Sequence, residues 1–338
     1  MPRMLVTGAT GFVGSNLVAH LLKQDWPVRC LIRDKLRAAP LQQLGAELSL
    51  GSLEDQESLD RATAETDVVF HLAGRIRALS SQEFIKDNAE GTRRVAEACA
   101  AQNNPPVMVL VSSMAAGGPS RPGTPRRESD TDQPVSDYGR SKLAAERAAT
   151  ALSNEVPISI IRPPIIFGPG DRSSLTIFRG VKSLRLHAVP GFRKFPVSIV
   201  YVADLCEALV RIAEGGERAV ATKNGSSDSS TGKYYIAAER TIKYGELGSL
   251  AGQALGYSTL VLPLPKAFFW LAGGSIEILG QIRRRPTVLG IDKIREAVAT
   301  GWECSDEKLR QGLGYQPTLP LEQRFAETAA WYRQHGWL

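Results

Sequence analysis

The stretch "RMLVTGATGFVGSNLVAHLL", residues 3–22, holds the change of pattern that decides the fold. A short apolar run gives way to Gly8, Gly11 and Gly14, and then to a segment in which Val13, Leu17 and Leu21 recur at helical spacing. Glycines so placed permit a tight turn, let the backbone approach a pyrophosphate and let the helix pack on the strand. The helix N-terminus then directs amide N–H groups at the anion. Glycines alone also mark ordinary turns; their position between a strand and a helix is what points to a bound dinucleotide.

The alternation continues along the first half. "AELSLGSL" is followed by a helix from Glu54, "DVVFHLAG" by a helix reaching from Asn88 to Ala101, and "PVMVLVSSMAA" by a loop and the segment around Tyr138; "PISIIRPP" comes next. Apolar runs without polar alternation are strands covered on both faces, hence a doubly wound parallel sheet of Rossmann type. Ligands of such sheets lie at the C-terminal strand ends, which lines Gly8, Gly74, Ser112, Ser113 and Pro163 along one crevice. The expected division is a dinucleotide-binding domain over residues 1–163, rejoined by about 197–213, with 164–338 forming mainly a smaller α/β substrate domain.

The second strand, "VRCLIRD", ends in Arg33, where a reader of the NAD ribose hydroxyls usually places an acid. A guanidinium there, with Lys35 and Arg37 after it, suits a 2′-phosphate, so NADP is favoured over NAD. One residue of register shift would put Asp34 in that place and return the NAD reading.

Composition narrows the classes. With 338 residues, 43% apolar and 22% charged, the chain is globular and long enough for a large core. Its net charge of +6 comes from scattered bases with no run interleaved with aromatics, so nucleic acid is not an expected partner. Cys30, Cys99, Cys206 and Cys304 form no C-x-x-C pair and read as buried thiols of a reducing compartment; no metal-ligand spacing appears. A strand-like run from Arg3 leaves no room for a signal peptide, so the expected location is the cytoplasm.

In "PVSDYGRSKLAAE", residues 134–146, Tyr138 and Lys142 stand four apart on a helical pattern and therefore share a face. An ammonium near a phenol lowers its pKa, as a general acid/base requires. His71, inside an apolar strand, reads as a core histidine.

Together these segments resemble the extended short-chain dehydrogenase/reductase family, which includes sugar-nucleotide epimerases, dihydroflavonol reductases and 3β-hydroxysteroid dehydrogenases. The likeness spans nearly the whole chain, through "TGATGFVG", "DVVFHLAG", Asn88 with "GTRRVAEAC", "VSSMAAGG", "YGRSKLAAE", "RPPIIFGPGD", "VYVADLCEAL" and "LGYQPTLPLEQRFAETAAWY". It implies that Tyr138 is the acid/base, that Lys142 lowers its pKa and holds the nicotinamide ribose, and that Ser113 hydrogen-bonds the reacting oxygen. Cofactor contacts are implied at Gly8, Thr10, Gly11, Phe12, Val13, Arg33, Ser52, Leu53, Leu72, Ala73, Gly74, Asn88, Ser112, Pro163 and Ile165, besides Tyr138 and Lys142. It also implies a small-molecule substrate in the cleft between the domains, and a homodimer.

Departures from the family pattern sort its reactions. Met114 and Ala115 stand where dehydratases carry an acidic pair, and neither can move a proton. Val197 stands where epimerases hold a diphosphate with arginine, although Arg193 and Lys194 are near; Pro164 and Ile165 replace their asparagine. The first expectation is a secondary-alcohol/ketone oxidoreductase on a fairly apolar substrate. A nucleotide-sugar 4-epimerase retaining NAD and a non-catalytic dinucleotide-binding subunit are the alternatives.

In the second half, "LVLPLPKAFFWLAGGSIEILGQI", residues 260–282, reads as a packed amphipathic helix, a pocket lining or a membrane-surface contact. Its prolines and glycines break it short of the ~20 apolar residues a span needs. "TKNGSSDSSTGK" reads as an exposed loop before a strand at "YYIAA".

Overall fold

The computed structural model describes residues 1–192, 195–221, 230–283 and 290–338. Residues 222–229 of the expected polar loop, and Arg193 and Lys194, lie outside the described residues. The strands are β1 (Met4–Thr7), β2 (Val28–Ile32), β3 (Glu47–Leu50), β4 (Val68–His71), β5 (Val107–Val111), β6 (Ile158–Arg162), β7 (Ile165–Phe167), β8 (Leu186–Pro190), β9 (Pro196–Val197), β10 (Ile199–Tyr201), β11 (Lys233–Tyr235), β12 (Ile242–Lys243) and β13 (Leu260–Leu264). The helices of the first half are α1 (Phe12–Leu22), α2 (Lys35–Gln43), α3 (Gln56–Thr63), α4 (Ser81–Phe84), α5 (Gly91–Ala100), α6 (Met114–Gly117) and α7 (Asp137–Thr150), with a π-helical turn over Ile85–Glu90. Later come α8 (Arg172–Leu184), α9 (Val202–Gly215), α10 (Glu246–Leu255), α11 (Lys266–Ile282), α12 (Ile291–Ala297), α13 (Glu307–Leu313) and α14 (Leu321–Gln334).

Seven strands form one parallel sheet in the order β3-β2-β1-β4-β5-β6-β11. Their side chains alternate between two cores. Met4, Val6, Phe70, Val109 and Ile161 meet Leu17 and Leu21 of α1 and Leu205 and Leu209 of α9 on one face. Leu5, Val69, Leu110 and Ile160 meet Leu59 of α3, Val95 of α5 and Ala149 of α7 on the other. The sheet is thus covered on both sides, as its apolar runs predict. One member, β11, arrives from well beyond residue 163. A separate aromatic core joins α8, α10 and α14, with the rings of Phe167 and Phe325 4.6 Å apart and those of Phe178 and Tyr332 5.3 Å apart.

The run 260–282 is not one helix. Pro263 and Pro265 cannot donate helical N–H bonds, so the chain runs as β13 beside β8 and becomes helical from Lys266. Among the described residues no helix is long and apolar enough to cross a membrane.

Two large buried polar groups, His71 and Arg162, are matched by partners. His71 is fully buried between Thr7 Oγ1 at 2.7 Å and Thr92 Oγ1 at 3.0 Å, and burial followed by the Lys142 charge lowers its pKa to about 3. It is a neutral core histidine. The four cysteines are buried and unpaired, and burial pushes the thiols of Cys30, Cys99 and Cys304 up to about 12.

Arg162, at the end of β6, is 1% exposed. Its guanidinium donates to Glu146 Oε1 at 2.9 Å and Oε2 at 2.6 Å, and to both Asp132 oxygens at 2.6 and 2.8 Å. Burial opposes that charge, and the two carboxylates outweigh it and hold it well above the ordinary arginine range. Glu146 lies on α7, so this cluster ties that helix to the sheet. Removing one partner of such a buried pair leaves the other uncompensated. Glu146→Ala should therefore lower the urea-unfolding free energy by about 3–5 kcal/mol. A loss under about 1 kcal/mol would show that the pair does not seat the helix.

Candidate active site

The direction of strand order reverses between β1 and β4, and this opens a crevice at their C-terminal ends. Gly8 lies there at φ 71°, so close to the end of β4 that a Cβ would come within 2.7 Å of the Ala73 nitrogen. The same atom on Gly14 would come within 2.2 Å of the Gly8 carbonyl oxygen, so α1 touches its own entry turn. Both positions need glycine for contact, as the sequence reading requires. Gly11 caps α1 without a side-chain bond to the first turn, and Thr10 and Gly11 are exposed. Phe12 and Val13 begin the helix, half-buried. Asn16 donates to Phe12 O and to Pro169 O, tying the "GPGD" loop against α1.

Capping bears on the register at β2. Asp34 accepts N–H bonds from Leu36 and Arg37 as the N-cap of α2, so its carboxylate is engaged there. Arg33 follows directly after β2 and is exposed. Ser52 and Leu53 follow β3, where the Leu53 side chain packs closely on Gly91.

Leu72 and Ala73 hydrogen-bond Thr7 through their amides. Gly74 is exposed beside them, and Asn88 holds the next residue by accepting from Arg75 N at 2.6 Å and donating to Arg75 O at 3.0 Å. Asn88 also donates to Ser141 Oγ on α7, so its amide braces the crevice wall from within the π-helical turn. Ser112 donates its hydroxyl to Glu146 and belongs to the Arg162 cluster, leaving its backbone as the part near the crevice. Pro163 is buried and its carbonyl accepts from Met114 N, while Ile165 is partly exposed on β7.

Ser113, Tyr138 and Lys142 converge where β5 ends. Ser113 caps α6, and its hydroxyl lies near enough to the Tyr138 phenol to draw the phenol's pKa down. Lys142 Nζ donates to Val111 O at 2.7 Å, and a Cβ on Gly74 would lie 3.8 Å from that nitrogen. Burial lowers the Lys142 pKa to about 8, with Glu146 resisting. Burial raises the pKa of Tyr138, Ser113 and Lys293 draw it down, and Glu296 draws it up. The Lys142 ammonium is thus turned onto the Val111 carbonyl, and the lysine whose charge draws the phenol's pKa down is Lys293.

Lys293 belongs to α12, which the sequence reading does not single out. Three consecutive contacts bind α12 to the first turn of α7. Asp292 accepts from the amides of Asp137 at 2.6 Å and Tyr138 at 3.1 Å, and Glu296 accepts from Ser136 Oγ at 2.6 Å. These are helix N-terminal donors met by carboxylates, a favourable arrangement for charge and hydrogen bonding alike. Lys293 pairs with Glu296 at 2.6 Å, and Glu296, with Tyr138 and Tyr244, raises its pKa. Its side chain is 61% exposed. The one sequence signal is the pair Asp292 and Glu296 at helical i, i+4 spacing.

These residues fit a dinucleotide: an uncapped glycine-led helix start, an exposed arginine after β2, and a lysine at the strand ends. Val197, by contrast, is buried in β9, 1% exposed, and has no charge to offer a diphosphate.

Comparison with known proteins agrees with this geometry. The chain is 29% identical over 334 residues to a ceramide reductase of Caulobacter vibrioides, covering 98% of this chain and 95% of that one. It is 25% identical over 350 residues to a UDP-glucose 4-epimerase of Vibrio cholerae, covering 99% and 97%. Its fold matches that of MoeE5 in complex with UDP-glucuronic acid and NAD, with a TM-score of 0.75 at 23% identity over 98% of this chain and 99% of that one. The model of the NAD dependent epimerase/dehydratase family matches residues 4–224, and the chain belongs to that family, as an enzyme of the extended short-chain dehydrogenase/reductase type.

Proposed function

We propose that this enzyme is an NADP-dependent oxidoreductase that interconverts a secondary alcohol and a ketone on a fairly apolar small molecule. The observation that carries the reading is the convergence of Ser113, Tyr138 and Lys142 beside the Gly8–Gly74 crevice. Residues 1–163 would carry the cofactor and the later residues would close over it.

Bound nicotinamide supplies the hydride acceptor or donor. The chain supplies the proton and the alignment. In the reducing direction the Tyr138 phenol gives its proton to the substrate oxygen, and Ser113 hydrogen-bonds that oxygen. In the oxidising direction the phenolate takes the proton back. Burial keeps the phenol protonated at neutral pH, and Lys293 limits how far its pKa rises. Lys142, oriented by Val111 O, would hold the ribose hydroxyls.

Arg33, free of the cap that engages Asp34, supports NADP through its match to a 2′-phosphate. The buried Val197 supports an apolar carbonyl substrate over a sugar nucleotide, and so does the likeness to a protein named ceramide reductase. A 4-epimerase would use the same tyrosine, and the likeness to one keeps that reaction as the rival to be tested.

Two variants test the chemistry. Against a panel of apolar ketones with NADPH, Tyr138→Phe should bind the cofactor as the parent does and lose turnover by about 10²–10⁴-fold. Unchanged turnover would overturn the mechanism. Lys293→Met removes the cation that lowers the phenol's pKa, so the alkaline limb of kcat for ketone reduction should move to higher pH, and Lys293→Arg should restore it. The sign follows because reduction needs the protonated phenol and a higher pKa preserves it longer. An unmoved profile in Lys293→Met would remove Lys293 from the site.

A further inference from the structure

The lobe formed by α8, β8, β13 and α11 carries an apolar surface that the proposed chemistry does not use. Leu184, Phe192, Leu260, Phe268, Leu271 and Ile282 are exposed, from 54% for Phe268 to 74% for Leu271 and Ile282. They occupy one continuous piece of structure. Leu184 leads into β8, β8 pairs with β13 from Leu186↔Leu260 to Pro190↔Leu264, and Gly191 N donates to Leu264 O at 2.7 Å before Phe192. The Lys266 stem lies against Gly191 and opens α11, on which Phe268, Leu271 and Ile282 fall at spacings of three and eleven residues, one helical face.

Charge identifies the occupant. Between Asp171 and Asp204, and again between Glu246 and Glu277, the sequence contains no acidic residue. Exposed Lys182, Arg185, Lys266 and Arg283 edge the apolar surface. The nearest carboxylate along α11, Glu277, is turned onto the Ile291 amide at 2.6 Å. Large exposed aliphatic and aromatic side chains rimmed by cations and free of anions are the composition of an interfacial membrane element. A second copy of this lobe would set the same cations against one another, whereas the negative face of a phospholipid bilayer matches the bases and takes up the apolar side chains between them.

The same lobe reaches the site. Tyr244 packs on His187 of β8 at 5.6 Å and on Phe195 at 5.1 Å, and Lys293 acts on both Tyr244 and Tyr138. We infer that this lobe docks on an anionic phospholipid membrane, so that an apolar ketone partitioned in the bilayer enters the cleft beside Tyr244. The docking stands on the surface alone; the delivery of substrate rests on the reductase reading.

Co-sedimentation of the full chain with vesicles separates the outcomes. Vesicles of phosphatidylcholine mixed with phosphatidylglycerol should carry the protein down, and pure phosphatidylcholine should do so at least tenfold less well. Added salt should release it. Phe268→Ser with Leu271→Ser should weaken binding at least tenfold, and Lys182→Glu with Arg185→Glu should do the same while leaving turnover of a water-soluble ketone unchanged. Tyr138→Phe should bind vesicles like the parent, so a failed reductase assay does not touch this result. Absence of binding to anionic vesicles overturns the docking. So does full binding by the Phe268→Ser, Leu271→Ser variant, or a parent dimer that this variant converts to monomer with no vesicle binding in either, which would assign the surface to a second copy.

Discussion

The Arg162 guanidinium is the charge around which helix α7 is seated. It is removed from water at the end of β6, and only the carboxylates of Glu146 and Asp132 make that position tolerable. Glu146 lies one helical turn beyond Lys142 and two beyond Tyr138, so fixing it fixes the rotation of the whole helix. Ser112 joins the same cluster from the end of β5, and Tyr235 of β11 adds its hydroxyl at 3.2 Å. A structural ion cluster thus sets the geometry of a chemical site without touching it.

The other end of α7 is held from a distance in sequence. Asp292 and Glu296 meet its first-turn donors across 154 to 160 residues, which brings Lys293 up to the phenol. The helix is therefore clamped at Glu146 by the sheet and at Ser136 to Tyr138 by α12. Lys142 is buried and donates to the Val111 carbonyl, while Lys293 of α12 is the lysine whose charge draws the phenol's pKa down.

How much of this was legible follows from the range of each interaction. The glycine turn, the apolar strands and the i, i+4 relation of Tyr138 to Lys142 are local patterns, and local patterns are what a sequence displays. Arg33 and Asp34 could not be ordered by charge; an aspartate followed by a helix is a capping signal, and it marks Asp34 as the N-cap of α2. The split of residues 260–282 was written in Pro263 and Pro265, which weigh more than the amphipathic composition around them. The grip of α12 on α7 had no such signature, because a short helix reveals its partner only once the chain is folded. The direction of the Lys142 side chain was equally hidden, since a strand-end carbonyl competes with the phenol for it.

A reductase must release its spent dinucleotide at each turnover, whereas an epimerase regenerates it in place, so retention distinguishes two reactions that share Ser113, Tyr138 and Lys142. The direct measurement is mass spectrometry of dinucleotide released on denaturing the purified protein, paired with titration of NADPH and NADH onto the same preparation. No retained NAD, with NADPH bound more tightly than NADH, is the predicted result; one NAD held per chain would contradict it.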